Sequence, residues 1–190
     1  MSFSDILFNY PNCVGYVRII LLLLFLAFDK IELYMLSYLL DALDGYLARK
    51  YNQCTTFGGV LDMIVDRISS SVILLTKLYS PMNLFYVLLD WSSHFIHMQA
   101  SLLNHSKSHK SMDYGSKILH MYYFNRTVLF SVCFGYELYN ILEYMDRSFG
   151  FVYFCAACIF YFKNILHGIQ LCYALKAILM IDVEAAKVKK

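Results

Sequence analysis

The sequence has few charged residues, few prolines and no long polar segment. Of its 190 residues only 16% are charged and two are prolines, whereas 59% are hydrophobic and 17% are aromatic. A domain with a water-exposed surface needs a larger polar fraction, and no polar stretch is long enough for a separate soluble domain. The six cysteines also lack the paired spacing of a disulfide scaffold or a zinc site. These absences argue against an ordinary soluble protein and predict one membrane-embedded domain over residues 1–190.

Apolar segments take up most of the chain. A bilayer core requires about 20 apolar residues per helix, and six segments have that character. Before them, apolar and polar residues alternate from residue 3 to residue 10, as in a short helix on a membrane surface. The sequence therefore predicts an all-α fold, a six-transmembrane-helix bundle with a short N-terminal amphipathic helix. The predicted spans are residues 13–28, 32–50, 57–79, 83–103, 118–145 and 149–178.

The basic residues lie mainly on one side of this predicted bundle. Arg49 and Lys50 follow the second span, and the opposite connections are short and nearly balanced in charge. By the positive-inside rule, we expect both termini and residues 41–66 to face the cytosol. A net charge of +2 gives no reason to expect a nucleic-acid partner. The other basic residues on the cytosolic side are Lys107, Lys110, Lys117, Lys187, Lys189 and Lys190.

Four aspartates interrupt two of the apolar segments. Asp41 and Asp44 are three residues apart in the second span, and Asp62 and Asp66 are four apart in the third. These spacings put each pair on one helical face, and the short connection between the spans lets the two faces meet. Two carboxylates about 5 Å apart repel by roughly 3 kcal/mol at an effective dielectric of about 20. The sequence therefore predicts that cations bind between them.

The kind of cation follows from the kind of ligand. Carboxylate oxygens without soft ligands suit Mg²⁺ or Mn²⁺, and four of them can hold the two ions used in phosphoryl chemistry. Small residues on the same faces, Gly45, Ala48 and Gly58, leave room for a ligand. Arg49 lies at the cytosolic mouth, where its guanidinium can bind a phosphate. Together these features predict a site for a diphosphate.

The full pattern reads Asp41-x-x-Asp44-Gly45-x-x-Ala48-Arg49, eight residues, then Gly58-x-x-x-Asp62-x-x-x-Asp66. It resembles the signature of the CDP-alcohol phosphatidyltransferase family at all eight fixed positions. The resemblance implies a six-helix membrane bundle that assembles as a homodimer. It also implies an enzyme that transfers a phosphatidyl group from a CDP-linked lipid to an alcohol, without a covalent enzyme intermediate.

The resemblance also implies a role for each position. The four aspartates, Asp41, Asp44, Asp62 and Asp66, would bind the two divalent ions, Mg²⁺ or Mn²⁺. Asp66 would in addition act as the general base. The donor would be CDP-diacylglycerol, and the residues that contact it or keep room for it would be Gly45, Ala48, Arg49, Thr55 and Gly58.

Stretches outside the signature resemble the members of this family whose acceptor is myo-inositol. The resemblance thus implies that the chain makes phosphatidylinositol and CMP, in the endoplasmic reticulum membrane if its source is eukaryotic. The stretches are YPNCVGYVRI (10–19), ARKYNQCTTFGGVLDMIVDR (48–67), DWSSHFIHM (90–98), SHK (108–110), MYYFNR (121–126) and GYELY (135–139).

Ionisable residues within the fourth to sixth spans are candidates for the inositol pocket. Inositol is a neutral polyol that needs hydrogen-bond partners, and ionisable groups inside a membrane are functional by default. The opposing interpretations are that these residues satisfy one another in pairs, or that His94 and His97 belong to a zinc site lacking a third ligand. The main candidates are Asp90, His94, Arg126 and Lys163, followed by His97, Glu137 and His167.

Three alternatives to this function remain. The acceptor could be glycerol 3-phosphate, serine or choline, and Arg126 with Lys163 would suit a phosphate. The chain could be a cation transporter, although its acids would then be spread through the membrane depth. Finally, the four acids could serve only to fasten helices together by pairing with Arg18, Arg49 and Lys50.

Overall fold

A computed structural model describes residues 2–105, 116–147 and 150–188. In these ranges all the regular elements are α-helices, which confirms the predicted all-α class. Several residues discussed above fall outside them, namely Lys107, Lys110, the SHK stretch at 108–110, Lys189 and Lys190. The helices are α1 (Phe3–Leu7), α2 (Tyr10–Phe28), α3 (Ile31–Lys50), α4 (Thr56–Leu75), α5 (Pro81–His105), α6 (Lys117–Phe124), α7 (Arg126–Tyr144) and α8 (Phe151–Val188).

Helices α1 to α4 form a compact unit that ends at Lys77. Helix α2 ends at Asp29, which takes the left-handed conformation (φ 52°) and donates its N–H to the Phe25 carbonyl at 2.8 Å. The chain turns back at once into α3, so α2 and α3 pack closely side by side. The buried rings of Phe25 and Tyr34 meet 5.5 Å apart near this turn. The tight turn thereby fixes the register of the two helices that carry the first half of the site.

The connection from α3 to α4 brings the two halves of the aspartate pattern together. Asn52 turns the chain with a positive φ of 54°. Thr55 then caps α4, and its hydroxyl accepts the Gly58 N–H at 3.0 Å. Helix α4 packs against α2 and also contacts α3. The aspartate-bearing faces of α3 and α4 are therefore both directed toward α2.

Helices α5 to α8 form the second compact unit, which begins at Leu78. The long helix α8 packs against both α5 and α7. The ring of Tyr136 in α7 stacks on Phe160 in α8 at 4.9 Å. Beside it, Leu119 and Tyr122 of α6 pack on Leu166. Apolar contacts thus hold α8 at the centre of this unit.

The predicted fifth span, residues 118–145, is wrong as a single helix. Asn125 separates α6 from α7 because its backbone is extended (φ −93°, ψ 101°). Its side chain caps α7 by accepting the N–H groups of Thr127 and Val128 at 3.0 and 3.3 Å. Two other ends also differ from the prediction, since α4 stops at Leu75 and α8 continues to Val188.

The N-terminal helix is shorter than the predicted residues 3–10. Ser2 and Asp5 form a reciprocal capping box, with the Ser2 N–H donating to the Asp5 carboxylate at 2.7 Å. Hydrogen bonds from Ser2, chiefly from its backbone N–H, lower the pKa of Asp5 below its usual value. Phe3 and Phe8 are exposed on either side of the helix. Helix α1 therefore presents apolar rings outward, as an interfacial helix does.

Two helices in the described ranges are long and apolar enough to cross a membrane, α2 and α8. Helices α3 and α4 carry the charges of the aspartate cluster, which lowers their hydropathy. Large apolar side chains are exposed along both units, among them Leu23, Leu39, Phe95, Phe130 and Phe154. Such surfaces suit contact with lipid. A membrane protein is consistent with these features, while the full set of six spans remains a prediction.

Candidate active site

Arg18 of α2 lies among the four aspartates. Its Nη1 is 2.7 Å from Asp41 Oδ1, 2.8 Å from Asp44 Oδ2 and 3.2 Å from Asp62 Oδ1. Its Nη2 is 2.6 Å from Asp66 Oδ1. The Arg18 side chain itself is only 2% exposed. The structure thus brings all four carboxylates to one guanidinium supplied by a third helix.

Three cations were named as partners that could make the aspartate cluster a purely structural link between helices. Arg18, one of the three cations named for that role, does pair with the acids. Lys50 instead lies over the rings of Tyr46 and Tyr51, with Nζ 5.4 and 5.6 Å from their centres. Arg49 has an exposed side chain at the end of α3. Arg18 therefore links α2 to α3 and α4 through the aspartates, whereas Arg49 and Lys50 are placed differently.

One arginine does not balance four aspartates. With all four carboxylates ionised, the cluster around Arg18 has an excess charge of −3. Arg67, which follows Asp66 and is also buried, would reduce that excess to −2 if its whole charge were counted. Excess like charge at these separations is costly unless further cations bind. The cluster therefore has a net negative charge that further bound cations would neutralise.

The donor set fits divalent cations. Carboxylate oxygens of Asp41, Asp62 and Asp66 lie within 4.8 Å of one another, and Asp44 joins them through Arg18 Nη1. All the donors are hard oxygens, as Mg²⁺ and Mn²⁺ prefer. The side chains of Asp41, Asp66 and Asp62 are 36%, 34% and 50% exposed. An ion or a substrate can therefore approach the cluster from its open side.

A cavity of about 170 Å³ adjoins the cluster at Asp44 and Asp62. Five of the residues that line it are glycine or alanine, which leaves space beside the carboxylates. Four of the five positions predicted to serve the lipid donor line it. These are Gly45, Ala48, Thr55 and Gly58, and Gly15 of α2 is also among the lining residues.

Close packing requires a glycine at position 58. A Cβ there would lie 2.9 Å from Asn12 Oδ1 and 3.1 Å from Thr55 Oγ1. Asn12 is not free to move away, because its Nδ2 donates to the Ile6 carbonyl at 2.6 Å. A larger residue at position 58 would therefore displace either the Thr55 cap or Asn12.

The first turn of α2 is bound to the connection between α3 and α4. Asn9 caps α2 by accepting the Asn12 N–H at 2.9 Å, and its Nδ2 lies 3.5 Å from the Gln53 carbonyl. The Tyr10 N–H donates to Gln53 Oε1 at 3.1 Å. Sequence reasoning did not assign these residues to the site. Their signals were that Tyr10-Pro11-Asn12 opens one of the family-like stretches and that Gln53 lies in another, residues 48–67.

Arg49, the fifth predicted donor-binding residue, extends past Gly45. A Cβ at position 45 would lie 3.3 Å from Arg49 Nη1. The guanidinium therefore lies back along α3 toward a residue that lines the cavity. This position is compatible with an arginine that reaches a phosphate at the cavity mouth.

The second unit contains a buried polar cluster of its own. Asp90 Oδ1 is 3.0 Å from His94 Nδ1 and 3.4 Å from His167 Nε2, and the two rings lie edge to face at 5.2 Å. His94 Nδ1 is also 2.9 Å from the Asp90 carbonyl, which can only accept, so this nitrogen carries the proton. In the neutral ring, His94 Nε2 is then an acceptor. Because His94 is 20% exposed, that acceptor can meet a ligand.

The remaining candidates for the inositol pocket lie outside the Asp90–His94–His167 cluster. Lys163 is buried with Nζ 4.0 Å from the centre of the Tyr136 ring. Glu137 Oε2 accepts from Asn140 Nδ2 at 3.5 Å. His97 stacks on Tyr123 at 6.1 Å and is not part of the Asp90 cluster. Arg126 is exposed at the first residue of α7.

Comparison with known proteins agrees with this geometry. A model of the CDP-alcohol phosphatidyltransferase family matches residues 8–181, which include both units. The chain belongs to this family.

Curated relatives are similar over most of the chain, and six of them share the name CDP-diacylglycerol–inositol 3-phosphatidyltransferase. The Candida albicans protein is 42% identical over 188 residues, which cover 90% of this chain and 82% of the relative. The Homo sapiens protein is 39% identical over 157 residues, or 76% and 74% of the two chains. The Saccharomyces cerevisiae protein is 44% identical over 155 residues, or 75% and 70%. No solved structure matches the chain.

Proposed function

We propose that this protein transfers the phosphatidyl group of CDP-diacylglycerol to myo-inositol, giving phosphatidylinositol and CMP. The observation that carries the proposal is the meeting of four aspartates beside a glycine-lined cavity, in the family's own pattern. The relatives' names supply both substrates. Those names do not favour glycerol 3-phosphate, serine or choline as the acceptor, nor a cation transporter.

We propose that Asp41, Asp44, Asp62 and Asp66 hold two divalent ions, Mg²⁺ or Mn²⁺. When bound, such ions neutralise the carboxylates and stabilise the negative charge that develops on the diphosphate. The inner position of Asp44, whose side chain is 10% exposed, suits a residue that fixes the floor of the site. The more open Asp62 suits one that ligands reach first.

The lipid donor is held by the cavity and its rim. Gly45, Ala48 and Gly58 leave space for the cytidine diphosphate part, and the Thr55 hydroxyl offers it a hydrogen-bonding group. Arg49 neutralises a phosphate oxygen from the mouth. The acyl chains would remain among the apolar side chains exposed on the same unit.

Asp66 is proposed as the general base. It accepts the proton of the attacking inositol hydroxyl while the oxygen of that hydroxyl bonds to the phosphorus bearing diacylglycerol. The bond from this phosphorus to the oxygen of CMP breaks in the same displacement, and CMP leaves with the electron pair. The 34% exposure of the Asp66 side chain gives an acceptor room to approach.

We propose that inositol is recognised by Asp90, His94 and Lys163, with Arg126 as an exposed cation of the same unit. The Asp90–His94–His167 cluster offers acceptors and donors without a large net charge, which suits a neutral polyol. Buried polar groups select for hydroxyls because an analogue that lacks them leaves the groups unpaired.

We further propose that the protein spans the membrane six times as a homodimer, with residues 41–66 on the cytosolic side. The compartment is the endoplasmic reticulum if the source is eukaryotic. Helices α2 and α8 and the exposed apolar side chains support membrane insertion. Lys30 and Lys50 stand at opposite ends of α3 and provide a test of orientation. In a cysteine-free background, a membrane-impermeant thiol reagent applied to the cytosolic face should label Lys50→Cys and spare Lys30→Cys.

One assay tests the activity. Purified full-length protein receives CDP-diacylglycerol, Mn²⁺ or Mg²⁺ and one alcohol at a time, while CMP release is followed. We expect release with myo-inositol and none with glycerol 3-phosphate, serine or choline. Release with glycerol 3-phosphate alone would replace the proposed acceptor, and full activity in excess chelator would overturn the metal proposal.

A further inference from the structure

We propose that Arg18 is a built-in counter-cation of the metal site. It holds the four carboxylates together while no divalent ion is bound, and its guanidinium withdraws from at least part of the cluster when ions bind. This inference rests on the proposed function, because it concerns how the chain manages the metal site described there. It adds to that function a residue outside the aspartate signature.

The Arg18 guanidinium occupies the position that an ion would need. Arg18 Nη1 lies 2.7 to 3.2 Å from oxygens of Asp41, Asp44 and Asp62. An ion bound to carboxylates needs those oxygens at about 2.0 to 2.1 Å for Mg²⁺, converging on a common point. The guanidinium nitrogen sits where such oxygens converge. A positive group and an ion cannot share that point, so one must exclude the other.

Arg18 also has too few hydrogens for its partners. Nη1 carries two hydrogens, yet three carboxylate oxygens approach it. The longest of the three contacts, 3.2 Å, goes to Asp62, which is also the most exposed of the four acids. Arg18 therefore satisfies the cluster incompletely, and Asp62 is the acid it holds least firmly. An arriving ion would meet this carboxylate first.

Arg18 also has one nitrogen that makes no hydrogen bond within the described ranges. Its Nε is buried and has no hydrogen-bond partner among the described residues. A buried unpaired donor costs free energy, so the position among the acids is kept by charge and not by a full set of hydrogen bonds. Cancelling that charge with an ion removes the reason for the guanidinium to stay there.

The backbone can stay in place while the side chain moves. Ser37 donates its hydroxyl to the Arg18 carbonyl at 3.3 Å, which ties this point of α2 to α3. Side chains on a helix lean toward its N-terminus, and one turn in that direction Gly15 lines the cavity. Leu61 packs close to Gly15, so withdrawal in this direction would take the guanidinium along the cavity wall while the helix pair stays folded.

Withdrawal also matters for the base. Arg18 Nη2 occupies Asp66 Oδ1 at 2.6 Å, and an oxygen engaged in this way is a poor proton acceptor. Release of Arg18 would leave that oxygen to a metal ion or to the inositol hydroxyl. Loading the site would then also remove the guanidinium from the proposed base.

The test uses Mn²⁺ alone as the probe, on full-length protein in detergent, and measures thermal unfolding and Mn²⁺ affinity. The variants are Arg18→Gln, which removes the charge, and Arg18→Lys, which keeps it with fewer donors. We expect metal-free Arg18→Gln to unfold at a lower temperature than wild type and to recover when Mn²⁺ is added. It should bind Mn²⁺ about tenfold more tightly, because the competing charge is gone. Arg18→Lys should lie between the two.

The matched control is Lys30→Gln, which removes a positive charge from the same unit at an exposed helix cap. It should leave both measurements unchanged. If Arg18→Gln folds poorly, a second comparison still tests the proposal. It measures the effect of Asp44→Asn on thermal unfolding in the wild-type and Arg18→Gln backgrounds. Asp44→Asn should stabilise metal-free Arg18→Gln more than metal-free wild type, because in wild type the relief of repulsion is offset by the loss of a partner of Arg18.

Two results would overturn the proposal. One is Mn²⁺ affinity that is equal or weaker in Arg18→Gln, and the other is an Asp44→Asn effect of the same size in both backgrounds. If wild type binds Mn²⁺ and releases CMP with inositol, either result removes only the role of Arg18. If neither wild type nor the variant binds Mn²⁺, the metal site of the proposed function fails as well.

Discussion

The two units of this protein both bury ionisable side chains, but they handle the charge in opposite ways. In the first, four aspartates face a single guanidinium, so the charge is unbalanced. In the second, Asp90 is paired with two histidines, and Lys163 lies over an aromatic ring. Unbalanced negative charge calls for ions and a phosphorylated ligand, whereas a balanced set of donors and acceptors suits a neutral one. The proposed function assigns phosphate chemistry to the first set of side chains and acceptor recognition to the second.

The largest effect on activity is expected from neutralising Asp66, the proposed base in the first unit. Asp66→Asn keeps the shape of the side chain and removes its ability to accept a proton. We expect CMP release to fall about 1,000-fold, within the range usual for loss of a general base. Asp29→Asn is the matched control, since Asp29 is exposed in a left-handed turn that asparagine tolerates. Activity of Asp66→Asn within tenfold of wild type would remove the base assignment.

Substitutions in the polar cluster of the second unit should weaken inositol binding without changing the chemical step. We expect His94→Gln and Asp90→Asn to raise the KM for inositol about 30-fold, because a hydroxyl loses its partner, a change of roughly 2 kcal/mol. The KM for CDP-diacylglycerol should stay within twofold. His120→Gln changes an exposed histidine of the same unit and should alter neither. An equal rise in both KM values would indicate a general loss of packing and contradict the inositol assignment.

Gly58 tests the close packing at the cavity. An added methyl at this position would press on Asn12 and Thr55. We expect Gly58→Ala to lower kcat/KM for CDP-diacylglycerol about tenfold, since such a displacement misplaces the donor. The control is Gly168→Ala, because a Cβ at position 168 meets nothing within 4 Å. Equal kinetics for the two variants would show that the cavity does not hold the donor.

The smallest effect on activity is expected from Gly135 in the second unit. A Cβ there would lie 2.6 Å from Ile159 Cδ1 and 2.8 Å from its Cγ2. Overpacking of this kind costs about 1 to 3 kcal/mol, so Gly135→Ala should lower the unfolding temperature. Turnover at low temperature should remain within twofold of wild type. Adding Ile159→Ala should recover part of the loss, and a failure to do so would place the strain elsewhere.

Most of the helices were predictable because their apolar segments are long and end at recognisable breaks. Asp29 and Thr55 are ordinary stop and start residues, and the structure uses them as such. The break at Asn125 was not predictable from hydropathy, since apolar residues continue on both sides of it. Only the backbone conformation of Asn125 shows that one segment forms two helices.

The aspartates were predictable as a group, whereas Arg18 could be named only as one of three cations able to pair with them. Spacing puts Asp41 and Asp44 on one face, and Asp62 and Asp66 on another, whatever the tertiary structure. The pairing of Arg18 with them joins residues at least 23 positions apart in sequence, and no local pattern specifies such a contact. His167 is similar, because its approach to Asp90 depends on how α8 packs against α5.

The length of α8 has a consequence for how this protein can be handled. With 38 residues it extends about 57 Å at 1.5 Å per residue, almost twice the roughly 30 Å of a bilayer's hydrocarbon core. One crossing of the core uses about 20 of these residues, so a span through α8 leaves part of the helix beyond the hydrocarbon, and its final turns carry Asp182, Glu184 and Lys187. A fluorophore or an antibody epitope placed on those turns would then report on the second unit from outside the lipid.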